Sequence, residues 1–319
     1  MILLVTPTPP GSEHGNRITA QRWAAIIRDL GHQVDVRQTY ERGPYTALIA
    51  LHARKSADAI RRFAADHPGA PIVVALTGTD LYPDLRAAGV DPEVLALATH
   101  LIVLQPLGLE QLDAATAART TVIIQSVCPI ARLPFRRDCF EVAFLAHVRP
   151  VKDPLRIAAA ARLLPRDSRV RVTHVGAARE ATLAEEVAKE SADNPRYDWV
   201  GPLLREHALS VLARSKLLVL TSWHEGGANV ISEALAADVP VIASAIPGSI
   251  GLLGPDYPGY FPPGDTTALS AALDAAEHDR DGYYHSLRAH CTSLRHLVEP
   301  SREHQAFATL LQGLGVAVP

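Results

Sequence analysis

Glu225 and Glu233 lie eight residues apart, with Gly226 and Gly227 directly after the first of them, in the stretch "TSWHEGGANVISEALAADVPVIAS" (residues 221–244). Two glycines let a backbone approach a ligand unobstructed by side chains. "ANVISEALAA" reads as a helix, and the free amides and dipole at its start favour a phosphate. An ionised carboxylate has enough acceptor sites to hold two neighbouring ribose hydroxyls, which suits Glu233 on the helix. Glu225, on the loop, suits the hydroxyls of a sugar. Val230, Ile231, Ala234 and Leu235 form the apolar face of this helix, and Glu233 falls off it. The plain alternative is a surface helix with ordinary charges.

A second cluster of charge follows the strand-like run "FEVAFLAHV". Arg149 and Lys152 there can neutralise a departing diphosphate, which needs positioned positive charge and little else. A third set follows the first half's apolar runs. His52, Arg54 and Lys55 come after "TALIAL", and Thr77, Gly78, Thr79 and Asp80 after "PIVVAL". Cations, hydroxyls and amides at strand ends suit a small anion. "HARKSA" also reads as a solvated helix start, and "TGTD" as a helix cap by Thr79 or Asp80.

The elements that position these residues alternate. Short apolar runs ("ILLVT", "QVDV", "TALIALH", "PIVVALTG", "HLIVL", "TVIIQSV") alternate with helical stretches such as "RITAQRWAAIIRDLGH", "SADAIRRFAADH" and "LGLEQLDAATAA". This predicts a parallel sheet covered on both faces. The rhythm breaks at "CPIARLPFRRD" (residues 128–138), which reads as a linker, and then restarts. The predicted class is α/β, with two Rossmann-like doubly wound domains facing a central cleft. The first spans residues 1–137 and the second 138–299. A terminal helix over 300–319 packs back on the first. Ligands of such sheets sit beyond the carboxyl ends of the strands.

The length, 319 residues, suits two domains. A net charge of -3 argues against a nucleic-acid or membrane surface and for a small-molecule ligand. Cys128, Cys139 and Cys291 show neither metal spacing nor a disulfide pattern, which fits a reducing cytoplasm. No apolar run is long enough to span a bilayer, and "MILLVTPTPPGS" is too short and uncharged at its start for a signal peptide. "DRD" (residues 279–281) follows a helix, not a core strand, and reads as a solvated turn. His290, Cys291 and His296 read as an ordinary helical surface. No metal or cofactor is expected.

"HVRPVKD" together with "SWHEGGANVISEALAADVPVIAS" resembles the C-terminal half of the retaining-type glycosyltransferases of the GT4 family, which have the GT-B fold. The resemblance implies a UDP-sugar donor. Arg149 and Lys152 would bind its diphosphate, Glu225 its sugar and Glu233 its ribose. Gly226, Gly227, Ala228, Asn229 and Val230 would offer the phosphate-binding helix start, and Leu203 of "WVGPL" would lie beside the base. Gly11, Gly15 and Asn16 of "TPTPPGSEHGNR" would sit on the loop that approaches donor and acceptor. That loop departs from the family pattern, in which many relatives have adjacent glycines. With "GNRITAQRWAAIIRDLGH", "HARKSA" and "ALTGTDLY", the chain looks like selenosugar synthases of the SenB type, from selenoneine biosynthesis. These join selenophosphate to the sugar of a UDP-sugar, usually UDP-N-acetylglucosamine. Selenophosphate is already anionic, so carbon–selenium bond formation needs no strong base. His52 and Asp80 would assist the later loss of phosphate, and Arg54, Lys55, Thr77, Gly78 and Thr79 would hold the acceptor. Two alternatives stand beside this reading: a GT4 enzyme with an alcohol acceptor, and a binding protein without turnover.

Overall fold

The computed structural model of the chain describes residues 1–11 and 15–316. The elements run β1 (Ile2–Val5), α1 (Gly15–Asp29), β2 (Val34–Arg37), β3 (Ala47–Leu51), α2 (Ala57–Asp66), β4 (Ile72–Leu76), α3 (Pro92–Leu97), β5 (His100–Val103), α4 (Ala114–Ala117) and β6 (Thr120–Val122). There follow β7 (Phe140–Leu145), α5 (Pro154–Leu163), β8 (Val170–Val175), α6 (Ala181–Asp193), β9 (Tyr197–Gly201), α7 (Arg205–Arg214), β10 (Leu217–Leu220), α8 (Asn229–Ala236), β11 (Val241–Ser244), α9 (Pro247–Leu253), β12 (Tyr260–Phe261), α10 (Thr266–Glu277), α11 (Tyr283–Leu294) and α12 (Pro300–Gly313). The strands form two six-stranded sheets, ordered β2-β1-β3-β4-β5-β6 and β12-β11-β10-β7-β8-β9, and every ladder is parallel.

The chain divides into two compact units. One holds residues 1–126, 225–229 and the segment from Pro300 on; the other holds 127–224 and 230–299. In the first unit, β1, β3 and β4 are buried on both faces, as continuous apolar runs require when helices cover a parallel sheet. In α1, Ala20, Trp23, Ala24 and Ile27 recur at i, i+3, i+4 and i+7, and all four are fully buried. Phe307 of α12 meets the Trp23 ring edge-on at 5.1 Å. Burying an aliphatic side chain such as Ile27 contributes about 2 kcal/mol.

Glu303, on α12, is buried yet fully satisfied. It accepts bonds from Trp23 Nε1 (2.7 Å), Arg22 Nε (2.8 Å), Ser126 N (2.9 Å) and Ser126 Oγ (2.5 Å). One carboxylate thus ties α12 to α1 and to the last residue before the chain leaves this unit. On the other unit's side of that passage, Val127 N donates to Val298 O at 2.9 Å.

Several local expectations change. "LGLEQLDAATAA" is not one helix: a 3-10 turn, Pro106–Gln111, stops before Asp113, which caps the short α4. Gln105 caps the turn through its side chain, and Pro106 fixes its start. No helix follows "TGTD", so neither Thr79 nor Asp80 caps one. The sequence reading has no counterpart of α3 or α9. Cys291 is not a surface residue: α11 buries it, and Tyr257 Oη lies 3.4 Å from its sulfur. The segment 123–139 between the sheets is irregular.

Candidate active site

Both sheets reverse strand order at one place: between β1 and β3 in the first, and between β7 and β10 in the second. The loops beyond the carboxyl ends of those strands are where open α/β sheets hold ligands. In the second unit these loops carry Arg149 and Lys152 after β7, and residues 221–224 after β10.

The β7 loop is built from beneath. His174 of β8 is completely buried, and burial lowers its pKa to about 4, so the ring is neutral. Its Nε2 donates to Ala146 O at 2.8 Å, and its Nδ1 accepts from Tyr197 Oη at 2.6 Å. Gly176 packs against the same carbonyl: a Cβ there would lie 1.8 Å from Ala146 O. The loop continues through a 3-10 turn, Pro150–Lys152, to Asp153, whose φ is 43°. Thr221 Oγ1 donates to Lys152 O at 2.7 Å, and Trp223 N donates to Val151 O at 2.9 Å. These bonds join the β10 loop to the β7 loop. Arg149 and Lys152 are both half-buried.

Glu233 is only 6% exposed, although it falls off the apolar face read from the sequence; Val230, expected on that face, is half-buried. The reason is Arg205, at the start of α7, whose Nη1 lies 2.6 Å from Glu233 Oε1. A charge so covered needs such a partner. Leu203, half-buried, lies two residues before Arg205.

Residues 225–229 group with the first unit. Gly226 packs so closely on Thr77 that a Cβ would come within 2.4 Å of the Thr77 carbonyl, and a Cβ on Gly227 would lie 2.5 Å from Leu104 Cβ. Both glycines are therefore dictated by close approach. Ala228 is buried; Glu225 and Asn229 are half-buried. Buried Gln125 faces its amide nitrogen to Gly227 O (3.1 Å) and Asn229 Oδ1 (2.7 Å), and its oxygen to Thr19 Oγ1 (2.5 Å) and Arg22 Nη2 (3.3 Å).

The first unit's own loops gather His52, Ala53, Thr77 and Gly78 around Asp80. This carboxylate is fully buried and accepts from Thr77 N (2.8 Å), Gly78 N (2.9 Å) and Ala53 N (2.8 Å). His52, with φ at 70°, places Nε2 3.1 Å from Thr79 Oγ1, and Lys55 N reaches its Nδ1 at 3.4 Å. Burial lowers the His52 pKa, opposed by Asp80 and reinforced by Lys55 and Arg54. Arg54 and Lys55 are exposed, and the Arg54 chain lies alongside Gly89. Gly11 is exposed with φ at 77°. Gly15 opens α1 so near the Asn229 amide that a Cβ would lie 3.5 Å from its nitrogen, and the Asn16 carbonyl accepts from Thr6 Oγ1 at 3.4 Å. Ser12, Glu13 and His14 of the same loop lie outside the described residues. Asp279 and Asp281 of "DRD" sit at an exposed turn where Asp279 meets His285. Among the described residues, no group of three His, Cys, Asp or Glu side chains is placed to hold a metal ion.

Residues 130–293, half of the chain, match the family described as "Glycosyl transferases group 1". The chain belongs to this family. The chain is 29% identical over 185 residues to a D-inositol 3-phosphate glycosyltransferase of Mycolicibacterium smegmatis, covering 52% of this chain and 42% of that one. The matched segment thus spans less than half of the relative's length. Among solved structures, HepE of Anabaena, in complex with UDP and glucose, superposes with a TM-score of 0.76 at 16% identity, covering 98% of this chain and 99% of that one. Sucrose-phosphate synthase of Thermosynechococcus elongatus gives a TM-score of 0.78 at 16% identity, covering 98% of each chain. The fold is GT-B. No helix among the described residues is long and apolar enough to cross a membrane.

Sequence reasoning missed Arg205, Gln125 and His174. Arg205 was within reach, since it is a cation just beyond a strand's carboxyl end, the criterion that selected Arg149 and Lys152. Gln125 carries no local signal, because it lies in an irregular segment and its partners are distant in sequence.

Proposed function

We propose that this glycosyl transferase moves the sugar of a UDP-sugar, UDP-N-acetylglucosamine, to the selenium of selenophosphate. The observation that carries the donor half is the placement of Arg149, Lys152 and the Glu225–Glu233 segment beyond the carboxyl ends of β7 and β10, where the strand order reverses. UDP in the HepE complexes supports the same choice of nucleotide. In this reading Arg149 and Lys152 hold the diphosphate, and residues 226–230 offer backbone amides. Glu225 takes a sugar hydroxyl, Glu233 the ribose diol, and Leu203 the edge of the base. Gly11, Gly15 and Asn16 border the sugar.

For the acceptor, the close packing of Thr77 and Gly78 on Gly226 supports an anion site next to the sugar-binding loop. Thr77, Gly78, Thr79, Arg54 and Lys55 hold the selenophosphate, and Asp80 fixes their backbone. Selenium attacks the anomeric carbon, the carbon–oxygen bond to UDP breaks, and the electron pair leaves on the diphosphate. No proton needs to leave the nucleophile. Water then attacks phosphorus and the phosphorus–selenium bond breaks. Selenium departs as the sugar selenolate, and His52 accepts a proton from the water. Arg149 and Lys152 supply the leaving-group charge, so the proposal requires no metal, and turnover should survive a chelator.

A second reading has one observation in its favour: the relative named for D-inositol 3-phosphate takes a phosphorylated acceptor. Such an acceptor would use an alcohol and need a base. UDP release from UDP-N-acetylglucosamine, measured alone, with selenophosphate and with D-inositol 3-phosphate, separates the readings. Strong stimulation by selenophosphate supports the proposal. Stimulation by the inositol phosphate alone replaces it with the second reading, and UDP binding without release points to a binding protein.

A further inference from the structure

The second unit has a hollow of about 640 Å³ at the amino-terminal ends of its central strands. Arg169 directly precedes β8, Lys216 precedes β10, and Cys139 precedes β7. The candidate active-site loops leave the other ends of the same strands. β7, at six residues, sets the two places about 20 Å apart.

Four cations line the hollow: Arg136, Arg137, Arg169 and Lys216. Arg136 is neutralised by Asp138 at 2.7 Å. Among the described residues, no ion pair joins Arg137, Arg169 or Lys216 to a carboxylate. Of the acids in the wall, Glu277 already accepts from Ser168 Oγ (2.6 Å) and Arg169 N (2.5 Å), and Asp279 is held by His285. The charge is also compressed. Phe135, 41% exposed, has the Lys216 ammonium 3.6 Å from its ring centroid and the Arg132 guanidinium at 4.6 Å. Arg132 Nη1 is buried with no hydrogen-bond partner. Burial, then the charges of Arg132 and Arg169, lower the Lys216 pKa. Cations near helix C-termini often just answer the helix dipole. Here the Lys216 ammonium lies over a ring instead of on the last carbonyls of α7.

We infer that this hollow is a second binding site, for a small molecule carrying a phosphoryl or pyrophosphoryl group, separate from the site of sugar transfer. Planar guanidinium forks and a point ammonium match a multiply charged oxyanion. The volume exceeds that of a phosphate group, and the Phe135 and Tyr284 rings offer an apolar wall for an organic remainder.

The probe is inorganic pyrophosphate, titrated calorimetrically into the full chain with UDP present in excess to occupy the donor site. Binding is expected, and Lys216→Gln and Arg169→Gln should each weaken it about tenfold, the loss of one charged contact. UDP affinity and thermal midpoint should stay unchanged in both variants. Arg137→Gln, on an exposed side chain, reads the same site without risk to the fold. No heat of binding up to about 10 mM, where even a millimolar Kd would be visible, or unaltered affinity in all three variants, would overturn the inference. If UDP itself fails to bind, the three variants still report on the hollow.

Discussion

The carboxylate of Glu233 meets the guanidinium of Arg205 at 2.6 Å, joining the start of α7 to the middle of α8. Arg205 thereby holds a nearly buried acid in place, and in the proposed reading that acid receives the ribose hydroxyls. Glu233→Ala should raise the Kd for UDP about tenfold or more, the cost of losing a charged hydrogen-bond acceptor. Titration with UDP and with its 2′,3′-dideoxy analogue checks the assignment. The variant should lose affinity for UDP while binding the analogue as the parent does. Equal losses for both ligands would remove the ribose from the account.

Arg149→Ala and Lys152→Ala should act on turnover. In the proposed reading each removes positive charge from where the leaving diphosphate develops its negative charge, and such contacts are worth on the order of 100-fold in kcat. Steady-state UDP release at saturating donor gives the readout. A change confined to KM would mean that these groups bind donor and transition state equally.

His174 makes a pH prediction. Its folded pKa, about 4, lies below the ordinary 6.5, so between those values the unfolded chain binds a proton that the folded one excludes. Stability is therefore lost as pH falls through that window, by roughly 3 kcal/mol from this group, and no further below it. Urea unfolding of the parent and of His174→Gln from pH 7 to pH 4 should give a shallower slope for the variant. Parallel curves would show that His174 is not the group excluding the proton.

Glu303 predicts a large structural effect far from any chemistry. Glu303→Ala leaves Arg22, Trp23 and Ser126 without their shared acceptor, a loss of about 3–5 kcal/mol and a fall in thermal midpoint of at least about 6 °C. Calorimetric melting of the variant measures it. A midpoint within a degree of the parent would mean that water replaces the carboxylate.

The sequence made the sheets readable because both faces of a parallel strand are buried: "ILLV", "ALIAL" and "LLVL" could be little else. The glycines were legible as a close backbone approach, but not what they approach within the fold: Gly226 and Gly227 stand where Thr77 and Leu104, distant in sequence, leave no room for a Cβ. Burial of Glu233 was not legible. Helical periodicity put it off the apolar face, and only a partner 28 residues earlier in the chain, Arg205, makes its burial tolerable. Asp80 read as a helix cap or as a group assisting the loss of phosphate. Its three backbone bonds reach back to Thr77 and Gly78 and across to Ala53, contacts that no local pattern announces. Cys291 read as part of a helical surface, and its burial beside Tyr257, 34 residues earlier, has no local signal.

The most direct measurement of the central claim is the mass spectrum of the sugar product formed from UDP-N-acetylglucosamine and selenophosphate. The product should be a sugar that carries the selenium isotope envelope, formed together with UDP and phosphate, and absent when either substrate is withheld. Release of UDP with no selenium on the sugar, or transfer of the sugar to D-inositol 3-phosphate but never to selenophosphate, would contradict it.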